Sequence, residues 1–356
     1  MRRLMLLAAL PLLLAADFPA VRPGVPMRFP ADHGAHPAFR TEWWYVTGLV
    51  KSGAGTSARE SGIQITFFRT RIPRTATNQS KFATEQVIFA HAAIADPATG
   101  KLKHATRIAR SGFGLAQARV GDMDVAVDDW RLWRSQDGRL HGQVVVDGQR
   151  LDLAFTPTAP VILQGQGGYS QKGPSPSEAS HYYSWPQLKA SGTMAGKPVT
   201  GTAWLDREWS STLLNPRAVG WDWLGLNLDD GAALTLFRVR DAGGRALWAG
   251  GSHRSKAGKT VIFQPQDVVW QAAGWWKSPR SGASWPVRPV VRYRVNNQWQ
   301  TIEIKPLMPD QELDSRAGGG PLYWEGAVTV PPDPVRGRLG GRGYLELTGY
   351  SAPLRM

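Results

Sequence analysis

Gly62-Ile63-Gln64-Ile65-Thr66-Phe67-Phe68-Arg69-Thr70-Arg71 is the stretch from which the fold can be read. It is short, rich in β-branched and aromatic residues, and alternates apolar and polar positions at its start, as a strand does. It recurs as Gly231-Ala232-Ala233-Leu234-Thr235-Leu236-Phe237-Arg238-Val239-Arg240, with the glycine, threonine, phenylalanine and both arginines shared. A Trp-rich run precedes each copy: Trp43-Trp44-Tyr45 in one case and Trp221-Asp222-Trp223 in the other. Downstream, Gly201-Thr202-Ala203-Trp204-Leu205-Asp206 matches Gly341-Arg342-Gly343-Tyr344-Leu345-Glu346. About twenty residues before these, Tyr183-Ser184-Trp185 parallels Tyr323-Trp324. Matching order and spacing at both ends indicate a duplication. Modules are expected over 32–214 and 215–356, joined near Asn215-Pro216.

The rest of the chain agrees with an all-β reading. Trp43–Val50, Ile63–Thr70, Gln143–Val146, Leu151–Phe155, Val199–Leu205, Ala233–Val239 and Thr301–Ile304 read as strands between Gly, Pro, Asn and Asp. Long helical periodicity is absent. Many short strands with frequent turns imply a barrel or a sandwich. Each module opens and closes on an aromatic-rich strand, and in a closed antiparallel barrel those two strands must pair. The fold expected is two tandem antiparallel β-barrels, and 356 residues suffice for two domains of ~150.

Composition narrows the function. With 42% hydrophobic residues and 16 Trp the chain has the means to build sizeable cores. Its lack of cysteine rules out disulfides, thiolate metal sites and a cysteine nucleophile. The net charge is +14, but the arginines are scattered singly, as at Arg107, Arg110, Arg131 and Arg134. Nucleic-acid binders gather such charge into a stripe, so no nucleic-acid partner is expected. Met1-Arg2-Arg3 followed by the apolar run Leu4–Ala16 reads as a signal peptide over 1–16, cleaved near Ala16. That run is too short to span a bilayer of ~20 residues, and no later segment could. After an extended lead-in over 17–31, a mature protein in the periplasm, or secreted, is expected.

Three longer motifs carry a family resemblance: His36-Pro37-Ala38-Phe39-Arg40-Thr41-Glu42-Trp43-Trp44-Tyr45, His181-Tyr182-Tyr183-Ser184-Trp185-Pro186 and Trp204-Leu205-Asp206-Arg207-Glu208-Trp209-Ser210. They resemble a secreted lipocalin-like family of AttH-like proteins and carotenoid 1,2-hydratases, many labelled predicted secreted hydrolases. The resemblance covers nearly the whole mature chain. It implies two lipocalin-like domains, a hydrophobic lipid- or isoprenoid-like ligand, an ABC-type export complex as partner and, for some relatives, hydration of a carbon–carbon double bond. In the hydratases an Asp two residues after a Tyr works with an upstream His and Trp. Here Asp206 takes the Asp position and Trp204 replaces the Tyr, while Tyr183-Ser184-Trp185 replaces the His-x-Trp element and leaves His181 nearby.

The residues can be weighed on their own chemistry. On an extended strand Trp204, Asp206 and Glu208 share one face, and Leu205, Arg207 and Trp209 the other. Two carboxylates two positions apart perturb one another and can leave one as a proton donor. The candidate catalytic residues are therefore Asp206, Glu208 and His181, and the candidate ligand contacts are Glu42, Trp43, Tyr182, Tyr183, Trp185, Trp204 and Trp209. A structural role competes: Glu346 repeats Asp206, and Arg238 and Arg240 repeat Arg69 and Arg71, so acid–arginine pairs could close both barrels. Glu42 faces Gly220 in the alignment, and Glu208 faces Thr348, which marks both acids as particular to the first module. No cofactor is expected. His33, His36 and His91 lack a ligand set for a metal, and Ser210-Ser211 lacks a nucleophile elbow. An exported carrier and a hydratase- or hydrolase-like enzyme are the two functions left open.

Overall fold

The computed structural model describes residues 18–53, 55, 58–72, 84–212, 214–316, 320–333 and 339–354. The expected leader over 1–16 and its expected cleavage site lie outside them. The chain is all-β and lipocalin-like. Its first sheet runs from β1 (Thr41–Ser52) and β2 (Arg59–Arg71) through β3 (Gln86–Asp96) and β4 (Lys101–Arg110) on one side. On the other side it runs from β13 (Lys197–Thr212) and β12 (Ala179–Met194) through β9 (Gln149–Thr156), β8 (Leu140–Val146), β7 (Trp130–Arg134), β6 (Asp124–Val127) and β5 (Ala116–Ala118). The short β10 (Ile162–Leu163) and β11 (Tyr169–Gln171) also pair with β12. The opening strand β1 lies antiparallel beside the closing strand β13, as barrel closure demands. At the far ends β3 and β4 pack against β5, β6 and β8, which nearly closes the barrel.

The second half repeats that pairing. β14 (Gly220–Leu228) joins β15 (Ala233–Arg240), β16 (Ala246–Arg254) and β17 (Thr260–Phe263) on one side and β26 (Gly341–Leu347) on the other. β26 leads to β25 (Leu322–Val330), which also pairs with β23 (Lys305–Pro306) and β24 (Glu312–Asp314). Two small sheets, β18 (Val268–Gln271), β21 (Val290–Val295) and β22 (Gln298–Glu303), and β19 (Trp275–Lys277) with β20 (Ser284–Pro286), complete it.

Burial explains why some strands alternate in sequence and others do not. β8 and β9 alternate buried and part-exposed residues because only one face meets a core. β1, β2, β13, β14 and β15 are buried on both faces along most of their length. One face of each fills its own barrel and the other packs on the opposite half. The first barrel's interior is occupied by side chains such as Trp44, Phe67, Trp130 and Phe155. Between the halves Tyr45, Leu49, Trp204, Trp223, Phe237, Ala327 and Tyr344 form a separate apolar cluster, the seam. Contact there is tight: a Cβ on Gly62 would lie 2.6 Å from the Ala327 Cβ and 2.8 Å from the Tyr344 hydroxyl.

Candidate functional site

Strand register divides the sequence candidates into two groups. Tyr182 sits opposite Glu208, Ser184 opposite Asp206, and Tyr45 opposite Asp206 from the other side. Trp43, Tyr182, Trp204, Asp206 and Glu208 therefore face the seam. Glu42, His181, Tyr183, Trp185 and Trp209 face the first barrel's interior. The three catalytic candidates do not converge, because His181 lies behind the sheet that carries Asp206 and Glu208.

The interior group is a closure cluster. Glu42 is fully buried and forms ion pairs with both Arg69 and Arg207, and its oxygens also accept the His36 backbone N–H at 3.0 Å. Arg207 above all, then the bond to His36 and Arg69, outweigh burial and hold the Glu42 carboxyl far below the usual range. Arg207 lies 3.9 Å over the Trp44 ring, and its guanidinium bonds the Gly34 carbonyl at 2.5 Å. His36 stacks on Trp209 at 3.8 Å, and His181 leans on the same indole. Tyr183 bonds His33 Nδ1 at 2.6 Å, and Trp185 stacks on that imidazole. The 30–39 segment thereby caps the barrel, and Glu42 has no oxygen left for a ligand. Its supposed uniqueness is also corrected: Asp222 in the second half binds Arg238 at 2.5 Å and Arg240 at 3.1 Å. Residue matching paired Glu42 with Gly220, but the ladder sets both acids opposite the equivalent arginines, Glu42 against Arg69 and Asp222 against Arg238.

This assignment corrects the expected ion pairs at Asp206 and Glu346. Arg69, Arg238 and Arg240 are consumed by Glu42 and Asp222, Arg71 bonds the Ala38 carbonyl at 3.3 Å, and among the described residues none of Asp206, Glu325 and Glu346 has an ion-pair partner. Asp206 is 4% exposed. It accepts hydrogen bonds from Tyr182 Oη at 2.7 Å, Ser184 Oγ at 2.5 Å and Trp204 Nε1 at 2.7 Å. Burial outweighs these bonds, and with the charge of Glu208 it pushes the Asp206 carboxyl up to about 7. Trp223 Nε1 from the second half donates to Tyr182 Oη at 3.0 Å. Glu346 is likewise pushed up to about 7 by burial, opposed by the Trp221 indole and reinforced by Asp206 and Glu208. Its ladder partner Glu325 is also raised well above the usual carboxyl range, by burial and then by Glu346. Glu325 Oε2 accepts from Gln64 Nε2 at 2.7 Å, across the seam. Three acids thus lie in a low-dielectric seam without a cation, a setting that keeps carboxyl groups protonated.

Glu208 differs from its neighbour. It accepts from the Ser180 hydroxyl and pairs with Lys172 at 3.1 Å. Lys172 Nζ lies 4.4 Å over the Tyr182 ring and 4.3 Å over that of Phe237. Phe237 lines a cleft of about 370 Å³ between β10–β11 of the first half and β15–β17 of the second. Trp248, Phe263, Tyr169 and Gln164 also line it. Gln164 Nε2 donates to Ser184 Oγ at 2.9 Å, so two hydrogen bonds link the cleft to Asp206.

Reading by sequence missed Tyr45, Gln64, Gln164, Lys172, Ser184, Trp223 and Glu325 as neighbours of this site. Only Glu325 left a usable sign: Tyr323 and Glu325, two positions apart, share a strand face as Trp204 and Asp206 do.

A nearly closed lipocalin-like barrel with a further β-sheet half and a buried acid cluster at their seam defines the class. The chain belongs to the AttH-like family, whose model matches residues 20–350. It is 47% identical to the AttH-type protein of Nitrosomonas europaea, over 94% of this chain and 99% of that one, with a TM-score of 0.84. Kievitone hydratase of Nectria haematococca superposes with a TM-score of 0.66 at 14% identity, covering 92% of this chain and 94% of its own. CghA does so at 0.51 and 12%, covering 95% and 97%. Those two similarities are of fold. No curated protein matches the chain.

Proposed function

We propose that this protein binds an apolar, lipid- or isoprenoid-like molecule at the seam, entering by the aromatic cleft, and that Asp206 serves there as a general acid. The observation that carries this reading is Asp206 itself: a fully buried carboxyl, lacking a cation, held near neutrality among Tyr182, Trp204 and Trp223. An acid whose pKa lies near working pH is suited to proton transfer. In a hydration, Asp206 would give its proton to one alkene carbon, the indole and phenol faces would stabilise the cation left on the other, and water would add there. The proton lost by that water returns to the Asp206 carboxylate. The fold also serves a hydratase, kievitone hydratase, which accords with this chemistry. The packed interior of the first barrel, set against the open cleft of about 370 Å³ beside Phe237, favours the cleft side of the seam over the lumen as the ligand's place.

The family resemblance extends the proposal to export through the 1–16 leader and to an ABC-type export system as partner. The deciding experiment presents an isoprenoid alkene to the purified protein and follows conversion and retention separately by mass spectrometry. Wild type should retain the alkene and add water, and Asp206→Asn should retain it without conversion. Retention without conversion by wild type would leave a carrier and remove the acid role. Absence of retention would refute binding itself.

A further inference from the structure

The seam reading leaves open which apolar molecules the cleft accepts, and Gln164 bears on that. Gln164 is 1% exposed and lines the cleft, yet only its nitrogen is used. Nε2 donates to Ser184 Oγ at 2.9 Å and to Thr235 Oγ1 at 3.1 Å. Oε1 is buried and accepts nothing among the described residues. The amide cannot simply be turned over. Ser184 commits its proton to Asp206 at 2.5 Å, so its oxygen needs a donor, and that fixes Nε2 toward it. Ser252, the ladder partner of Thr235, adds a buried hydroxyl that likewise has no partner among the described residues. Two such polar groups thus flank Thr235, next to a cleft lined by the rings of Phe237, Trp248 and Phe263 together with the polar Gln166, Ser170 and Gln264. An unpaired buried acceptor costs free energy until a donor reaches it.

We propose that the cleft selects neutral apolar molecules bearing a hydroxyl group, an alcohol or a phenol, and that Gln164 Oε1 accepts the hydroxyl's hydrogen bond. The inference rests on the seam as the binding site and adds the polar feature recognised there. A carboxylate head group is disfavoured, because it offers only acceptors to an acceptor. The Lys172 ammonium at the Phe237 ring is already held by Glu208. A cationic amine would meet no carboxylate among the residues that line the cleft. The aromatic walls suit a flat ring or an extended chain, with the hydroxyl at the Gln164 end.

Paired probes of equal shape test this. 2-Naphthol and 2-methylnaphthalene differ by a hydroxyl in place of a methyl, and solvation alone favours burying the methyl compound. Equilibrium dialysis with the full-length protein should show 2-naphthol bound at least about tenfold more tightly. Gln164→Met should abolish the preference, bringing 2-naphthol affinity level with that of 2-methylnaphthalene measured on the same variant. Equal affinities in wild type, or a preference that survives Gln164→Met, would overturn the role of Gln164 and leave apolar binding at the seam intact. Failure of both probes to bind would overturn the seam reading and the inference with it. Should Gln164→Met not fold, the wild-type comparison alone still decides whether a hydroxyl is selected.

Discussion

Asp206→Asn should stabilise the protein, and far more in alkali than in acid, a pH dependence that a paired acid would not show. Burial moves the Asp206 carboxyl from its ordinary 3.8 to about 7. Between those values the folded state holds a proton that the unfolded chain has released. Stability therefore falls as pH rises through that window, and the whole deficit is present above it. The shift of about three pH units corresponds to about 4 kcal/mol at ~1.4 kcal/mol per unit. About 3 kcal/mol of this lies above pH 5. Asparagine does not ionise and escapes the penalty. Its Oδ1 can still accept from Ser184 and Trp204, and its Nδ2 donates to the Tyr182 oxygen as the proton of the neutral carboxyl does. The net expectation is a variant stronger by ~1 kcal/mol at pH 5, where the remaining part of the deficit is already present in wild type, and by ~4 kcal/mol at pH 9. Urea unfolding followed by tryptophan fluorescence at both pH values measures it. Equal destabilisation at the two pH values would refute the reasoning, because it would mean that Asp206 is charged and paired.

Two other substitutions test the frame around the site. Glu42→Gln should cost roughly 3–5 kcal/mol, because it leaves Arg69 and Arg207 buried without their shared carboxylate. Since Glu42 is held far below the usual carboxylate range, that cost should be the same at pH 5 and pH 9 in urea melts. Gly62→Ala should cost about 1–3 kcal/mol by forcing its methyl against Ala327 and the Tyr344 hydroxyl across the seam, read as a lowered thermal midpoint.

Much of the architecture was legible because strands announce themselves locally. The Gly62–Arg71 and Gly231–Arg240 runs become β2 and β15, and the aromatic strands before and after them pair as barrel closure requires. The common face of Trp204, Asp206 and Glu208 followed from the two-residue repeat alone. What that face looks toward did not follow. A strand buried on both sides, such as Trp43–Val50, loses the alternation that would mark one side as core. The acid–arginine pairing was misassigned for a related reason. Register decides which side chains meet, and it sets Arg69 opposite Glu42 while Asp206 lies opposite Tyr45. Gln164 and Lys172 lie in the irregular stretch around β10 and β11, where no period exists to place them. They join the site through tertiary contacts, Lys172 with Glu208 and Gln164 with Ser184.

The central claim is that Asp206 carries a proton near neutral pH. Infrared titration of protein labelled with ¹³C at the aspartate carboxyls separates Asp206 from Glu325 and Glu346, and subtracting the Asp206→Asn spectrum isolates its band. The account predicts a protonated carboxyl band at pH 5 that disappears with a midpoint near 7. A difference spectrum showing only ionised carboxylate down to pH 5 would contradict it.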